Sequence, residues 1–156
     1  METQTLEQAC ERLDRYAKRW GVEVYRRTLK SGCRIEDRQL ETTDSLEACL
    51  AMDMVVAWQI FHLTRLAREI PNAPCTVYFE DAEWKTLYIL ATNSVDFPKQ
   101  EPTLREAVRM MGSQGGHPGR KSDGEPGTTT LWRAFVLLHG GLIVYRALMP
   151  NMKRGP

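Results

Sequence analysis

Between Leu6 and Lys30 two sets of side chains recur at intervals of three and four, and the pattern fits one local structure, an amphipathic helix. Leu6, Ala9, Cys10, Leu13, Ala17, Trp20 and Val24 form an apolar stripe, and Tyr16, Arg19, Glu23, Arg27 and Lys30 form a polar one. At about 100° per residue the five polar positions fall within an arc of about 80°, along roughly 21 Å of helix axis. The polar stripe lies along the edge of the apolar face, where a cleft wall would stand. It holds a single carboxylate among cations and a phenol, so the acid suits a metal ion and the cations suit phosphates. The competing reading is a solvated face with Arg19–Glu23 and Glu23–Arg27 pairs, each contributing about 0.3–0.5 kcal/mol.

The rest of the chain also reads as helical. Thr5 with Gln8 predicts a capped start for the first helix, which runs to Leu29 with a possible kink at Gly21 and stops at Ser31-Gly32. Cys33–Thr43 is polar and reads as an extended connection. Asp44 and Glu47 open a second long helix, with Leu46, Leu50, Val56, Ala57, Ile60, Leu63 and Ala67 on its core side. Met52, Met54, Val55, Trp58 and Phe61 widen that face and predict a largely surrounded helix. Beyond Pro71 and Pro74, Thr76–Phe79 is expected to be extended, Asp81 to cap a helix through Ala91, and Thr103 with Glu106 to cap another. Gly112–Gly127 is too rich in glycine, proline and charge for a regular element. A last helix from Leu131 to Leu148 is expected to bend or break at Gly140-Gly141, before a fraying tail.

Charge is unevenly placed. The net charge is +1, yet Arg12–Arg38 holds nine Lys/Arg against four Asp/Glu, which leaves +5 there and −4 elsewhere. A basic first quarter favours a polyanionic partner as much as it favours pairing with the acidic remainder. The N-terminal residues have no apolar core of a secretory signal, and the apolar run Met54–Trp58 is far short of the ~20 residues of a membrane span. A cytoplasmic protein without a membrane partner is expected. Cys10, Cys33, Cys49 and Cys75 have no metal-ligand or disulfide-framework spacing, and they read as reduced packing residues. In GGHPGRKSDGEPG, Arg120 stands where a phosphate loop needs glycine before its Lys-Ser pair, so a surface connection is expected. His62 and His139 have no ligating neighbour in sequence and are expected to be structural.

Tyr16, Arg19, Glu23 and Lys30 stand as Y-x2-R-x3-E-x6-K, which resembles the signature of bacterial DDE transposases of the IS-four type, the group that includes the Tn-five transposase. The blocks RWGVEVYRRTLKSGCRIEDRQL, DSLEACLAMDMVVAWQIFHLTRLARE, FEDAEWKTLY, TLREAVRMM and GRKSDGEPGTTTLW are similar to consecutive parts of the C-terminal region of such enzymes, so the resemblance covers about Thr5 to Trp132. It implies a mainly α chain: the C-terminal helix of an RNase H-like catalytic domain (1–43), a helical dimerisation domain (44–149) and a disordered tail (150–156). Glu23 then corresponds to the third acid of the catalytic triad and a ligand for Mg2+ or Mn2+. Tyr16, Arg19, Arg27 and Lys30 correspond to residues that contact transposon-end DNA.

The chain departs from that pattern in three places. Only 22 residues precede Glu23, none strand-like, and Asp14 lies nine residues earlier, about 180° round the helix. One carboxylate cannot hold the two cations of a phosphodiester-cleaving site, so a truncated chain with no cleavage activity of its own is expected. Gln114, His117 and Pro118 replace apolar residues usual around the paired glycines, and Ala134–Val144 reads unlike the family. Three functions follow: an inactive transposase segment, a regulator that dimerises with full-length transposase, or a DNA-binding helical module.

Overall fold

The computed structural model describes residues 5–32, 35, 39–120 and 122–149, the side chains of residues 17 and 18 excepted. These residues form α1 (Leu6–Arg27), continued by a π-helical turn (Thr28–Gly32), α2 (Thr43–Glu69), a 3-10 turn (Cys75–Val77), α3 (Asp81–Thr92), α4 (Leu104–Gln114) and α5 (Thr128–Leu148). No strand occurs among the described residues, and the mainly helical class is confirmed. Cys33, Arg34, Glu36, Asp37, Arg38 and the tail from Pro150 lie outside the described residues, so part of the predicted extended connection does too. The chain divides into two compact units, Met1–Trp58 and Gln59–Pro156.

The first unit begins where expected: the Thr5 hydroxyl accepts the Gln8 amide proton at 3.3 Å, satisfying one of the free N–H groups of the first turn. α1 passes through Gly21 without a break. The Tyr25 hydroxyl donates to the Met54 carbonyl at 3.1 Å, and Thr28, Asp53 and Ala57 are buried. No large apolar side chain is buried among the described residues of this unit: Leu6, Leu13 and Trp20 are 82%, 67% and 64% exposed. The predicted apolar stripe of α1 therefore forms but is not covered. α2 is capped two residues before the predicted position, by Thr42, whose hydroxyl accepts the Ser45 amide proton at 3.2 Å. Met52, Met54, Val55 and Trp58 are exposed, so α2 is not the surrounded helix that its composition predicts.

The second unit holds the core. Ile60, Leu63, Phe79, Leu87, Leu104, Met111, Leu131, Phe135 and Leu138 are buried, and α3, α4 and α5 pack pairwise against one another. The Thr103–Glu106 box forms in full: Thr103 N–H donates to Glu106 at 2.8 Å, and Glu106 N–H donates to the Thr103 hydroxyl at 3.3 Å. These bonds hold the Glu106 carboxyl below the ordinary carboxylate range. The next free amides of α4 are met from the preceding loop, since Leu104 N–H donates to the Ala73 carbonyl (2.8 Å) and Arg105 N–H to the Pro71 carbonyl (3.0 Å).

Five local expectations are corrected in this unit. Thr76–Phe79 is not extended, because the Phe79 amide turns back to the Cys75 carbonyl at 2.9 Å. α3 is capped by Glu80, whose amide donates to the Glu83 carboxylate at 2.8 Å, leaving Asp81 as the first helical residue. α4 continues through Gly112 to Gln114, so the irregular connection starts only at Gly115. α5 begins at Thr128, three residues early, and runs unbroken through Gly140-Gly141. At Gly141 an added Cβ would lie 3.0 Å from Thr86 Cγ2 and 3.3 Å from Leu90 Cδ1, so that glycine permits close approach of α5 to α3 without bending the helix. By length and composition α2 and α5 would both suffice to cross a membrane, although α5 buries one whole face within its unit.

Candidate functional site

α1 carries four of the five sequence-predicted site residues in regular α-helical winding. Tyr16 is 74% exposed, and Arg19, Glu23 and Arg27 are also exposed. Tyr16, Arg19 and Glu23 line one open recess together with Trp20. Trp20 was assigned to the core side by its apolar character. It lies only about 60° from Glu23 around the helix, a proximity that the spacing already contained. The Glu23 carboxylate meets Arg26 at 4.0 Å, the outer limit of an ion pair between exposed groups. That i,i+3 partner takes the place of the predicted i,i+4 partners Arg19 and Arg27 in the geometry around the carboxylate.

Lys30 is set apart from the other four. It stands in the π-helical turn, where winding is roughly 80° per residue, so it falls back by roughly 50° from the place that continuous α-winding would give it. The turn begins at Thr28, whose buried hydroxyl donates to the Val24 carbonyl at 2.9 Å. Lys30 remains exposed. The stripe thus keeps Tyr16, Arg19, Glu23 and Arg27 aligned and turns its last cation aside.

The donor set around Glu23 bears directly on metal binding. Magnesium demands near-octahedral oxygen coordination, whereas the described lining of the recess offers one carboxylate and one phenol oxygen beside a guanidinium. No group of three or more His, Cys, Asp or Glu residues placed to hold a metal ion occurs among the described residues. This set by itself does not fit a pair of divalent cations. His62 lies with its ring 6.0 Å from Tyr78, and His139 Nδ1 is 3.0 Å from the Phe135 carbonyl.

The second unit presents a different surface. α5 buries Leu131, Ala134, Phe135, Leu138, Leu142 and Tyr145 on one side and exposes Val136 (59%), Leu137 (50%), Ile143 (72%), Val144 (56%) and Leu148 (73%) on the other. The sequence reading saw one apolar helix and one core. The signal for two faces was there: the apolar positions of α5 occur all round the helix, more than one core-facing stripe requires. The connection before α5 is fastened to α4, where Arg109 Nη2 meets Glu125 at 2.9 Å and Arg105 Nε meets it at 3.6 Å. The loop itself holds Arg120 N–H on the Asp123 carboxylate at 3.0 Å, as a surface connection.

In comparison with known families, residues 55–144 match the family described as the transposase Tn5 dimerisation domain. The match covers more than half of the chain and includes Ala134–Val144, the segment that sequence reading had set apart from the family. No curated protein matches.

Proposed function

The chain belongs to the Tn5 transposase dimerisation-domain family, and from that premise we propose that it is the C-terminal segment of a Tn5-type DDE transposase, which pairs through its second unit and does not cleave DNA on its own. The observation that carries this reading is the match over residues 55–144, which takes in α3, α4 and most of α5 of the packed array. In this reading Glu23 is the last acid of the triad. The two aspartates that complete it belong to sequence outside these 156 residues. When bound in a complete site, magnesium or manganese would activate the attacking oxygen and ease departure of the leaving one. The part left to this chain is positional: Tyr16, Arg19, Arg27 and Lys30 hold transposon-end phosphates beside Glu23, and the second unit brings two chains together. The protein would then act in the cytoplasm, at the nucleoid when bound to DNA.

The dimerisation family favours one further consequence. A chain that pairs without a complete triad poisons the full-length enzyme, because a mixed dimer has one working site. The test mixes this protein with a full-length Tn5-type transposase and a plasmid bearing its ends. We expect heterodimers by mass and a loss of about half the cleavage at equal concentrations, as mass action and random pairing dictate. Unchanged cleavage with no heterodimer would sink the regulatory role, and magnesium-dependent nicking by this protein alone would sink its inactivity.

The DNA contact carries its own expectation. Binding to duplex DNA should be sequence-independent and weaken steeply with salt, since each neutralised phosphate releases counterions. Replacing Arg19 and Lys30 together by Ala should lower the slope of log K against log salt by roughly 2, about one for each lost cation. A titration at several ionic strengths reads this directly. The same slope in the double variant would remove these two residues from the interface.

A further inference from the structure

A groove of about 770 Å3 runs between α3, the segment that joins it to α4, and α4 itself, all within the second unit. Tyr88 and Ala91 of α3, Pro98 and Pro102 of the joining segment and Met110 of α4 give it apolar walls. Along α4 it extends from Glu106 to Ser113, seven residues and about 10 Å of helix axis. A volume in this range, with apolar walls and a few polar groups, suits a ligand of several side chains.

The charge of the groove is one-sided. Glu101 is half-buried and makes no ion pair or hydrogen bond with a described residue. Glu106 engages one oxygen, Oε2, with the Thr103 amide and hydroxyl, each at 2.8 Å, and Oε1 has no partner among the described residues. Arg109, the cation of the groove, is already neutralised, its Nε and Nη2 meeting Glu125 at 3.3 Å and 2.9 Å. Lys99 shares a neighbouring recess with Glu101 but forms no ion pair with it. The last turn of α3 borders the groove at Ala91 and Thr92, and it carries no basic residue to meet its free carbonyls.

We propose that this groove docks an extended segment of a partner protein carrying an arginine three residues from an apolar side chain, the guanidinium at Glu101 and Glu106 and the apolar side chain at Met110. At about 3.3 Å per residue, three residues of extended chain match the length of the groove along α4. Arginine fits better than lysine, because a planar guanidinium reaches two carboxylates at once and stacks on an aromatic ring, which Tyr88 supplies. A second copy of this chain is the poorer occupant: a two-fold contact through the groove would set Glu101 and Glu106 against their own copies, like charge on like. The inference does not rest on the pairing of the second unit.

The experiment follows the fluorescence anisotropy of amino-labelled, amidated tetrapeptides added to the full chain: Leu-Ala-Ala-Arg, the same peptide with citrulline for arginine, and Ala-Ala-Ala-Arg. The first should bind, and each of the other two should bind at least about tenfold more weakly, the lower end for losing a hydrogen bond to a charged group or a buried leucine side chain. Glu101→Gln should weaken the first peptide as much as citrulline does, and it should add nothing to the loss with citrulline. Ala91→Phe, which fills the groove, should abolish binding, and both variants should keep the helical circular dichroism and the sedimentation mass of the wild type. No binding of the first peptide, or binding indifferent to citrulline and to Glu101→Gln, overturns the proposal. Equal competition by arginine amide would make the site one for a small cation, and a changed mass in the variants would make a second copy the occupant; either result overturns the partner segment.

Discussion

Gly115→Ala is expected to unfold the second unit or destabilise it by at least about 3 kcal/mol, at the upper end of single-residue effects. Gly115 closes α4, and its amide donates to the Met111 carbonyl at 3.0 Å. A single added Cβ would overlap the Thr130 carbonyl oxygen and lie 2.8 Å from its carbon. That carbonyl belongs to the first turn of α5, so relief requires α5 to move as a body against α3 and α4. Gly112, one turn earlier, presses in the same way on Pro126, whose Cβ would be 2.9 Å from an added methyl. The two glycines form the face of α4 on which the end of the connection and the start of α5 rest. Gly127→Ser is the contrast: a Cβ there meets nothing within 4 Å, and serine is a better helix cap, so a change within about 0.5 kcal/mol is expected. Denaturant unfolding of both variants decides the matter. If Gly115→Ala lies within about 1 kcal/mol of wild type, the close approach of α4 to Thr130 is wrong.

Glycine is also where sequence reading and structure part most often. Caps were legible because they are local: Thr5 with Gln8 and Thr103 with Glu106 carry their partners three residues away. The α1 stripe was legible for the same reason, since Tyr16, Arg19, Glu23 and Arg27 depend on one period in one helix. Gly112, Gly140 and Gly141 read as breakers, yet all three lie inside helices. Only the fold reveals that Gly112 and Gly141 are there for a neighbour that needs the space. Burial of α2 was overestimated because an apolar side chain reports what it would prefer to touch, not how many elements are there to touch it. Lys30 left the predicted stripe because the winding loosens to a π-helical turn over Thr28–Gly32, a change of period that a fixed spacing does not register.

Alkali should destabilise the second unit well before it strips charge from the arginines. Cys75 is fully buried, and burial, reinforced by Glu101, pushes its thiol from 9.0 up to about 12. Tyr78 is raised as well, by burial first and then by Glu83, while its hydroxyl donates to the Gln59 carbonyl at 3.0 Å. Tyr145 shifts in the same direction through burial, against the opposing effect of Lys85. These groups are acids held protonated in the folded chain. Above their unfolded pKa values the unfolded chain has released protons that the folded chain keeps, so stability is full below about pH 9 and falls as pH rises toward the folded values. Each fully shifted group can add a slope of up to about 1.4 kcal/mol per pH unit. Denaturant unfolding at intervals between about pH 8 and pH 11 should show the loss, and Cys75→Ala and Tyr78→Phe should each make it shallower. Comparing slopes removes the constant cost of the small cavity left at Cys75. Native Cys75 should also resist thiol reagents that label the exposed Cys10. A flat profile up to pH 11, or labelling of Cys75 as fast as Cys10, would mean that the 3-10 turn is open to water.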